Sequence, residues 1–221
     1  MRTPVLSVHG RKTAAPVAEP VAKLLLRMGL SPNAVTLLGT LAAIAVTVVL
    51  IPADQLVWAA VLIAFFSAFD MVDGTMARLR GGGTAFGATL DASCDRLTDG
   101  ALFGAICLWL IYVDQAHPAH IVVALTVLVL SQTISYIKAR AEAGGLKVDG
   151  GLVERPERLI VSLVGLFLEG LGVPHAIEIA LWLLMVGSVF TVVQRLIIAS
   201  RDPRAQQRIA APAGAPEAAN V

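Results

Sequence analysis

The fold is decided by three consecutive segments: residues 55–77, QLVWAAVLIAFFSAFDMVDGTMA, residues 78–86, RLRGGGTAF, and residues 87–113, GATLDASCDRLTDGALFGAICLWLIYV. The first and third are apolar runs, each long enough to cross about 30 Å of hydrocarbon as a helix of about 20 residues. The middle segment is short, basic and rich in glycine. So short a connection makes the two helices antiparallel neighbours. The Asp residues near the connection then lie at the same end of both helices.

The composition places the whole chain in a membrane. Of its 221 residues, 57% are hydrophobic and 15% are charged, whereas an average soluble domain is about 25% charged. A soluble chain of this size would expose large apolar patches. The same numbers exclude a disordered chain, a coiled coil and a disulfide scaffold. The net charge of +1 gives no attraction to nucleic acid, and apolar residues in blocks disfavour a β-barrel.

We predict an all-α integral membrane protein with a short surface helix ahead of six transmembrane helices. In the surface helix, Val17, Val21, Leu24, Leu25 and Met28 share one face, which predicts an amphipathic segment lying in the membrane interface. The six spans are expected at about residues 34–51, 55–77, 87–113, 119–141, 157–171 and 175–199.

The basic residues indicate the orientation. All 17 Lys and Arg residues lie on or near the side that holds both termini and the loops near 78–86 and 142–156. By the positive-inside rule this side is cytosolic, and we expect a multi-pass protein of the cell (plasma) membrane. Three parts follow: residues 1–33 as a cytosolic segment with the interfacial helix, residues 34–200 as the six-helix domain, and residues 201–221 as a disordered cytosolic tail.

Four Asp residues lie near the cytosolic ends of two predicted spans, although an ionised side chain at mid-bilayer costs about 2.5–3.5 kcal/mol. Asp70 and Asp73 share one helical face with small residues, and Asp91 and Asp95 share a face of the next helix. Four such charges repel unless they are neutralised, and Mg²⁺ neutralises carboxylates while keeping positions open for substrate phosphates. Salt bridges to nearby Arg residues are the alternative, but they do not require the small residues.

The pattern Asp70-x2-Asp73-Gly74-x2-Ala77-Arg78-x8-Gly87-x3-Asp91-x3-Asp95 resembles the complete signature of the CDP-alcohol phosphotransferases, membrane enzymes of phospholipid synthesis with six transmembrane helices. The resemblance implies two Mg²⁺ ions, with Mn²⁺ as a substitute, held by the four Asp residues. It implies that Asp95 is also the general base, that CDP-diacylglycerol is the donor and that the protein is a homodimer. The residues that it implies in donor binding are Asn33, Ala34, Val35, Thr36, Gly74, Arg78 and Thr84.

A second group of basic residues indicates what kind of acceptor substrate the protein binds. Lys138 and Arg140 end the fourth predicted span, Arg155 and Arg158 open the fifth, and Arg195 lies inside the sixth, where a lone Arg is costly. If the cytosolic ends converge, these side chains surround a pocket suited to a second anion, because Arg binds phosphate oxygens bidentately. The alternative is contact with anionic lipid head groups.

The stretches SYIKARAE at 135–142 and ERPER at 154–158 resemble the corresponding region of the actinobacterial phosphatidylinositol phosphate synthases. That resemblance implies inositol 1-phosphate as the acceptor, with Lys138, Arg155, Arg158 and Arg195 as ligands of its phosphate. The Glu residues of the second stretch are expected either to orient these Arg side chains or to be surface charges.

The leading hypothesis is therefore a transferase that makes phosphatidylinositol phosphate and CMP from CDP-diacylglycerol and inositol phosphate. One alternative is a phosphatidylglycerophosphate synthase that uses glycerol 3-phosphate as the acceptor. A more remote alternative is a cation or proton transporter, because carboxylates inside a membrane are typical of ion pathways. A transporter predicts acidic residues throughout the membrane depth, whereas here they concentrate at one end.

Overall fold

A computed structural model describes residues 18–207 of the chain, apart from the side chain of Asp70. Throughout this described part the regular structure is helical, as predicted. The helices are α1 (residues 18–27), α2 (Pro32–Leu50), α3 (Leu56–Ser67), α4 (Phe69–Leu79), α5 (Ala85–Tyr112), α6 (Pro118–Ala143), α7 (Arg155–Gly170) and α8 (Ala176–Arg201).

Local sequence explains where the helices that build the site begin. Ser31 caps α2 by accepting a 3.2 Å hydrogen bond from the Ala34 N–H, and the proline that follows Ser31 suits a first helical turn. Thr84 caps α5 in the same way. At α7, Glu154 and Glu157 form a capping box, in which Glu157 Oε2 accepts from the Glu154 N–H at 3.1 Å. The Glu157 side chain is thus occupied in capping the N-terminus of its own helix.

The second predicted span consists of two helices, α3 and α4, which meet at Ala68. Ala68 has φ −69° and ψ −19°, and its N–H contacts the carbonyls of Ala64 and Phe65, both at 3.2 Å. These are values typical of a 3₁₀ turn. The sequence did not predict the break, because the apolar run continues through it.

Four stretches of the described chain are long and apolar enough to cross a membrane: Pro32–Leu50, Leu56–Leu79, Pro118–Ala143 and Ala176–Arg201. The other two predicted spans correspond to α5 and α7. α5 carries several charged residues within its first fifteen positions, and α7 has 16 residues. Neither helix therefore has a long uncharged stretch by itself, and the structure supports four spans by length and composition.

The main apolar core lies between α3, α5, α6, α7 and α8. Neighbouring helices approach α7 closely at two of its glycines. A Cβ atom on Gly165 would lie 2.8 Å from the Cβ of Ala180 in α8, and one on Gly170 would lie 2.8 Å from Val57 Cγ2 in α3. Small residues that allow close approach are typical of helix contacts in membranes. The short helix α7 is therefore held between α3 and α8.

α1 packs against the end of the bundle that carries Asp73, Asp91 and Asp95, which we call the signature end. Ala18 and Ala22 of α1 join a small apolar cluster with residues of α2 and α4. Other apolar side chains predicted for the amphipathic face, including Leu24 and Met28, are exposed. Val17, which the prediction placed on the same face, lies outside the described residues.

The segment after α8 is tied to the loop after α6 through Asp202. Its Oδ2 accepts from the Lys147 N–H at 3.0 Å, and its Oδ1 accepts from the Arg204 N–H at 2.9 Å. These hydrogen bonds, with Lys147 contributing most, lower the pKa of Asp202 from its ordinary 3.8 to about 2. Of the tail predicted to be disordered, residues 208–221 lie outside the described residues.

Candidate active site

α2 and α4 meet at the first half of the signature. Asp73 is 7% exposed, and its Oδ2 accepts a hydrogen bond from the Thr36 hydroxyl. Thr36 belongs to the segment predicted to bind the donor, so the structure brings a predicted donor residue against a predicted metal ligand. A buried carboxylate needs such partners, because burying a polar group without a hydrogen bond costs free energy.

The remaining signature residues of α4 lie on a more open side. A Cβ atom on Gly74 would meet only the Nη1 atom of Arg78, at 3.7 Å. Arg78 itself is exposed, and its Nη2 donates to Thr75 Oγ1 at 2.8 Å. Gly74 therefore leaves space beside the helix backbone, and the Arg78 guanidinium borders that space.

The start of α5 explains the glycine in the middle of the signature. Thr84 Oγ1 accepts from the Gly87 N–H at 3.0 Å. A Cβ atom on Gly87 would lie 3.2 Å from Asn33 Oδ1 and 3.2 Å from Thr84 Oγ1, which is closer than most Cβ contacts. The absence of a side chain at Gly87 thus lets Asn33 of α2 and Thr84 approach α5, and both are predicted donor residues. Ala34 and Val35 lie in the same first turn of α2.

Asp91 and Asp95 lie one turn apart on α5. Asp91 is exposed, whereas Asp95 is partly buried and accepts from Arg155 of α7, with Arg155 Nη2 at 2.9 Å from Asp95 Oδ1. The predicted general base is therefore in direct contact with a residue predicted to bind the acceptor. Arg155 is the first residue of α7, so it is the beginning of this helix that lies beside Asp95.

The described side chains, which do not include that of Asp70, hold no group of three or more His, Cys, Asp or Glu residues arranged around one metal position. Their chemistry nevertheless fits Mg²⁺ or Mn²⁺, because the signature residues on α4 and α5 offer hard carboxylate oxygens. Gly74, which leaves space beside the helix, directly follows the buried Asp73 in α4. The assignment of two metal ions to these four Asp residues stays a prediction.

A buried ion pair adjoins the pair between Asp95 and Arg155. Arg158, which is 1% exposed, donates from Nη2 to Asp99 Oδ2 at 2.8 Å. Asp99 is not part of the signature, and no role was predicted for it from the sequence. Its position four residues after Asp95 was the available signal, because it continues the row of carboxylates on one face of α5.

The other two predicted acceptor residues lie in different surroundings. Arg195 is buried, and its three nitrogens donate to Gly150 O at 3.0 Å, to Ile134 O at 2.7 Å and to Glu154 Oε1 at 2.9 Å. Arg195 therefore joins α6, α8 and the loop before α7. Lys138 is more exposed, and its Nζ lies 3.9 Å from Glu142 one turn along α6.

The loop held by Arg195 packs tightly against α8. A Cβ atom on Gly151 would lie 2.7 Å from Thr191 Cγ2, and the Val153 N–H donates to Thr191 Oγ1 at 3.0 Å. A Cβ atom on Gly187 would lie 2.5 Å from Val153 Cγ2. The residues that precede Arg155 are thus positioned by contacts with α8, and they in turn set where Arg155 and Arg158 enter the site.

The chain is similar along most of its length to known phosphatidylinositol phosphate synthases. The phosphatidylinositol phosphate synthase of Corynebacterium glutamicum is 58% identical over 211 residues, which cover 96% of each chain. The phosphatidylinositol phosphate synthase of Mycolicibacterium smegmatis is 49% identical over 194 residues, covering 86% of this chain and 87% of the relative.

Solved structures of a related enzyme have the same fold as this chain. The crystal structure of Mycobacterium tuberculosis phosphatidylinositol phosphate synthase (PgsA1) with CDP-DAG bound matches with a TM-score of 0.85 and 48% identity, covering 89% of this chain and all of that chain. The same enzyme in complex with manganese and citrate matches with a TM-score of 0.83, covering 87% and 93% of the two chains at 48% identity. A family model described as CDP-alcohol phosphatidyltransferase matches residues 29–194. This chain belongs to the CDP-alcohol phosphatidyltransferase family.

Proposed function

We propose that this protein transfers the phosphatidyl group of CDP-diacylglycerol to a hydroxyl of inositol 1-phosphate, producing phosphatidylinositol phosphate and CMP. The observation that carries the proposal is the 2.9 Å contact between Arg155 and Asp95. This contact supports the proposal, because a guanidinium, which suits a phosphate, lies beside the carboxylate that we assign as the general base. An acceptor that carries both a hydroxyl and a phosphate matches this pair. The names of the relatives support the same acceptor.

The donor end of the site is assigned to α2, α4 and the start of α5. We assign CDP-diacylglycerol binding to Asn33, Ala34, Val35, Thr36, Gly74, Arg78 and Thr84. The contacts of Asn33 and Thr84 with Gly87, and the open space at Gly74, support this assignment. The exposed guanidinium of Arg78 suits the pyrophosphate. The related structure with CDP-DAG bound shows that a close relative binds this lipid.

We assign the metal ions to Asp70, Asp73, Asp91 and Asp95, which would hold two Mg²⁺ ions, with Mn²⁺ as a substitute. When bound, these ions supply charge that stabilises the pyrophosphate and the departing CMP. The related structure in complex with manganese supports a divalent cation.

In the transfer itself, Asp95 accepts the proton of the acceptor hydroxyl as the oxygen attacks the lipid-side phosphorus. The bond from that phosphorus to the CMP oxygen breaks, and CMP leaves with the bonding electrons. Arg155 and Arg158 hold the acceptor phosphate on the α7 side, with Lys138 and Arg195 completing the basic surroundings. Fixing the hydroxyl beside Asp95 supplies the orientation on which catalysis depends.

The finer topology is also a proposal. In it α5 and α7 cross the membrane with the four apolar stretches, which makes six spans, and the charged part of α5 lies at the membrane surface. Both termini and the signature end then face the cytosol of the plasma membrane, α1 lies in the interface, and the chain forms a homodimer. The location of the basic residues supports the orientation. A site at the bilayer edge suits a reaction between a lipid and a soluble polyol phosphate.

The experiment is CMP release by the purified protein in liposomes. We expect release only when CDP-diacylglycerol, inositol phosphate and Mg²⁺ are all present, and loss of release when EDTA removes the metal. Glycerol 3-phosphate is the matched acceptor, because it also carries a hydroxyl and a phosphate. Release with glycerol 3-phosphate and none with inositol phosphate would overturn the proposed acceptor. Ion flux without CMP release would overturn the reaction itself.

A further inference from the structure

α5 continues its row of carboxylates one turn beyond the signature. Asp99 follows Asp95 by four residues, so the two side chains lie on the same face of α5. Asp91 at the start of the row is exposed, whereas Asp99 is 5% exposed. A carboxylate this buried is costly unless it is paired and hydrogen-bonded.

Asp99 holds one edge of the Arg158 guanidinium. The Arg158 Nη2 atom donates to Asp99 Oδ2 at 2.8 Å, and Arg158 is the largest of the fully buried side chains. Within the described residues, the Nε and Nη1 atoms of Arg158 have no hydrogen-bond partner. Buried donors without partners cost free energy, and an anion that reached them would recover it. Asp99 therefore orients a guanidinium that still has binding capacity.

The surrounding charges favour an anion. Arg96 Nη2 lies 3.7 Å from Asp95 Oδ2 and 3.6 Å from Asp99 Oδ2, and Arg155 lies against Asp95. Together with Arg158, these contacts bring three guanidinium groups against the carboxylates of Asp95 and Asp99 between α5 and α7. Guanidinium groups bind phosphate oxygens bidentately, so the cluster suits a phosphorylated ligand.

We propose that Asp99 is a positioning residue for the acceptor. It holds the Arg158 guanidinium so that the unpaired N–H groups bind the acceptor phosphate, one turn along α5 from Asp95. Asp99 itself does not touch the substrate. Its role resembles that of the carboxylates that orient metal-binding His side chains. The inference rests on the proposed function, because it assumes a phosphorylated acceptor that binds beside Asp95.

The test compares Asp99→Asn with the wild type in liposomes, by steady-state CMP release with each substrate varied in turn. The substitution keeps the shape of the side chain and removes its charge. We expect the KM for inositol phosphate to rise about 10- to 100-fold, as when a carboxylate that orients a ligand-binding side chain is replaced. The KM for CDP-diacylglycerol and the kcat at saturating acceptor should stay unchanged. In an Arg158→Gln background, Asp99→Asn should add little, because its effect acts through Arg158.

Glu178→Gln is the matched control. Glu178 is a carboxylate of α8 that is 6% exposed, but it pairs with His175 away from the signature end. The control loses the same charge, and both of its KM values should equal those of the wild type. Equal rises of both KM values in Asp99→Asn, or a fall in kcat with an unchanged acceptor KM, would give Asp99 a purely structural role and overturn the proposal.

Two further measurements test the proposal if Asp99→Asn does not fold or if the wild type does not use inositol phosphate. If Asp99→Asn does not fold in detergent, Asp99→Glu replaces it, because it retains the charge and displaces the carboxylate by one methylene. A rise confined to the acceptor KM supports the proposal, and an unchanged acceptor KM overturns it. If the wild type does not use inositol phosphate, the proposed acceptor fails, and the same KM comparison is made with the phosphorylated acceptor that the wild type does use.

Discussion

Replacing Arg195 by leucine tests whether this residue positions the loop before α7. The Arg195 guanidinium donates to Gly150 O, Ile134 O and Glu154 Oε1 at 3.0, 2.7 and 2.9 Å. Its side chain is 4% exposed and that of Glu154 is 23% exposed, so the pair is largely shielded from water. Leucine fills much of the same volume and makes none of these bonds.

The expected cost follows from this geometry. Removing one partner of a buried ion pair costs about 3–5 kcal/mol, because the other charge is left uncompensated. Two carbonyl groups also lose a donor, at about 1–3 kcal/mol for each that stays unsatisfied. Partial exposure of Glu154 lets water replace part of the lost contact. After this discount, we expect the free energy of unfolding to fall by about 5 kcal/mol or more in all.

Thermal unfolding of the purified protein in detergent measures this loss, and CMP release measures its effect on the site. Glu154→Gln is the companion variant, because a glutamine keeps an acceptor oxygen at the cap of α7 and removes only the charge. It should lower the unfolding free energy by about 1–3 kcal/mol, and the double variant should cost less than the sum of the two. Both single variants should raise the acceptor KM. An unchanged melting temperature for Arg195→Leu, with an acceptor KM raised only in that variant, would refute the anchoring role and leave Arg195 as a phosphate ligand alone.

Three further predictions concern other parts of the site and the fold. Asp95→Asn should abolish CMP release while CDP-diacylglycerol binding persists, because the carboxylate that accepts the proton is lost and the residues assigned to donor binding are kept; normal turnover of this variant would contradict the general-base assignment. Gly87→Ala should raise the donor KM several-fold, because its Cβ would lie 3.2 Å from Asn33 Oδ1, whereas Gly83→Ala, with no atom within 4 Å, should leave that KM unchanged. Asp202, whose pKa is lowered to about 2, should stabilise the fold fully above pH 3.8 and lose this contribution as the pH falls through about 2. Melting temperatures of the wild type and Asp202→Asn measured against pH should therefore converge at the acidic end, and a constant difference would count against the linkage.

Helix positions were largely predictable from the sequence. The span expected at 87–113 is α5 at Ala85–Tyr112, and the span expected at 119–141 is α6 at Pro118–Ala143. These predictions succeed because a long apolar run is a local signal. The break at Ala68 was missed, because the backbone there forms a 3₁₀ turn while the apolar run continues.

For the site, the family was predictable from the sequence, but the pairing of charged side chains was not. The signature spacing predicted the family, which the comparisons confirm. The same spacing could not predict that Asp99 pairs with Arg158, 59 positions along the chain. Nor could it show that Glu154, and not Glu157, is the partner of Arg195. Such pairs depend on the rotation of one helix against another, which no local pattern encodes.

The sequence by itself determined that the protein is a helical membrane protein, that the four Asp residues of the signature lie within 26 residues, and to which family it belongs. Composition, apolar run length and residue spacing along one helix are sufficient for those conclusions, because each is a local property of the chain. Only the tertiary structure decided which cation meets which carboxylate. That choice depends on the close approach of α7 to α3 and α8 at Gly165 and Gly170, and on the loop packed against α8 at Gly151. These contacts set the position of α7, and so bring Arg155 to Asp95 and Arg158 to Asp99.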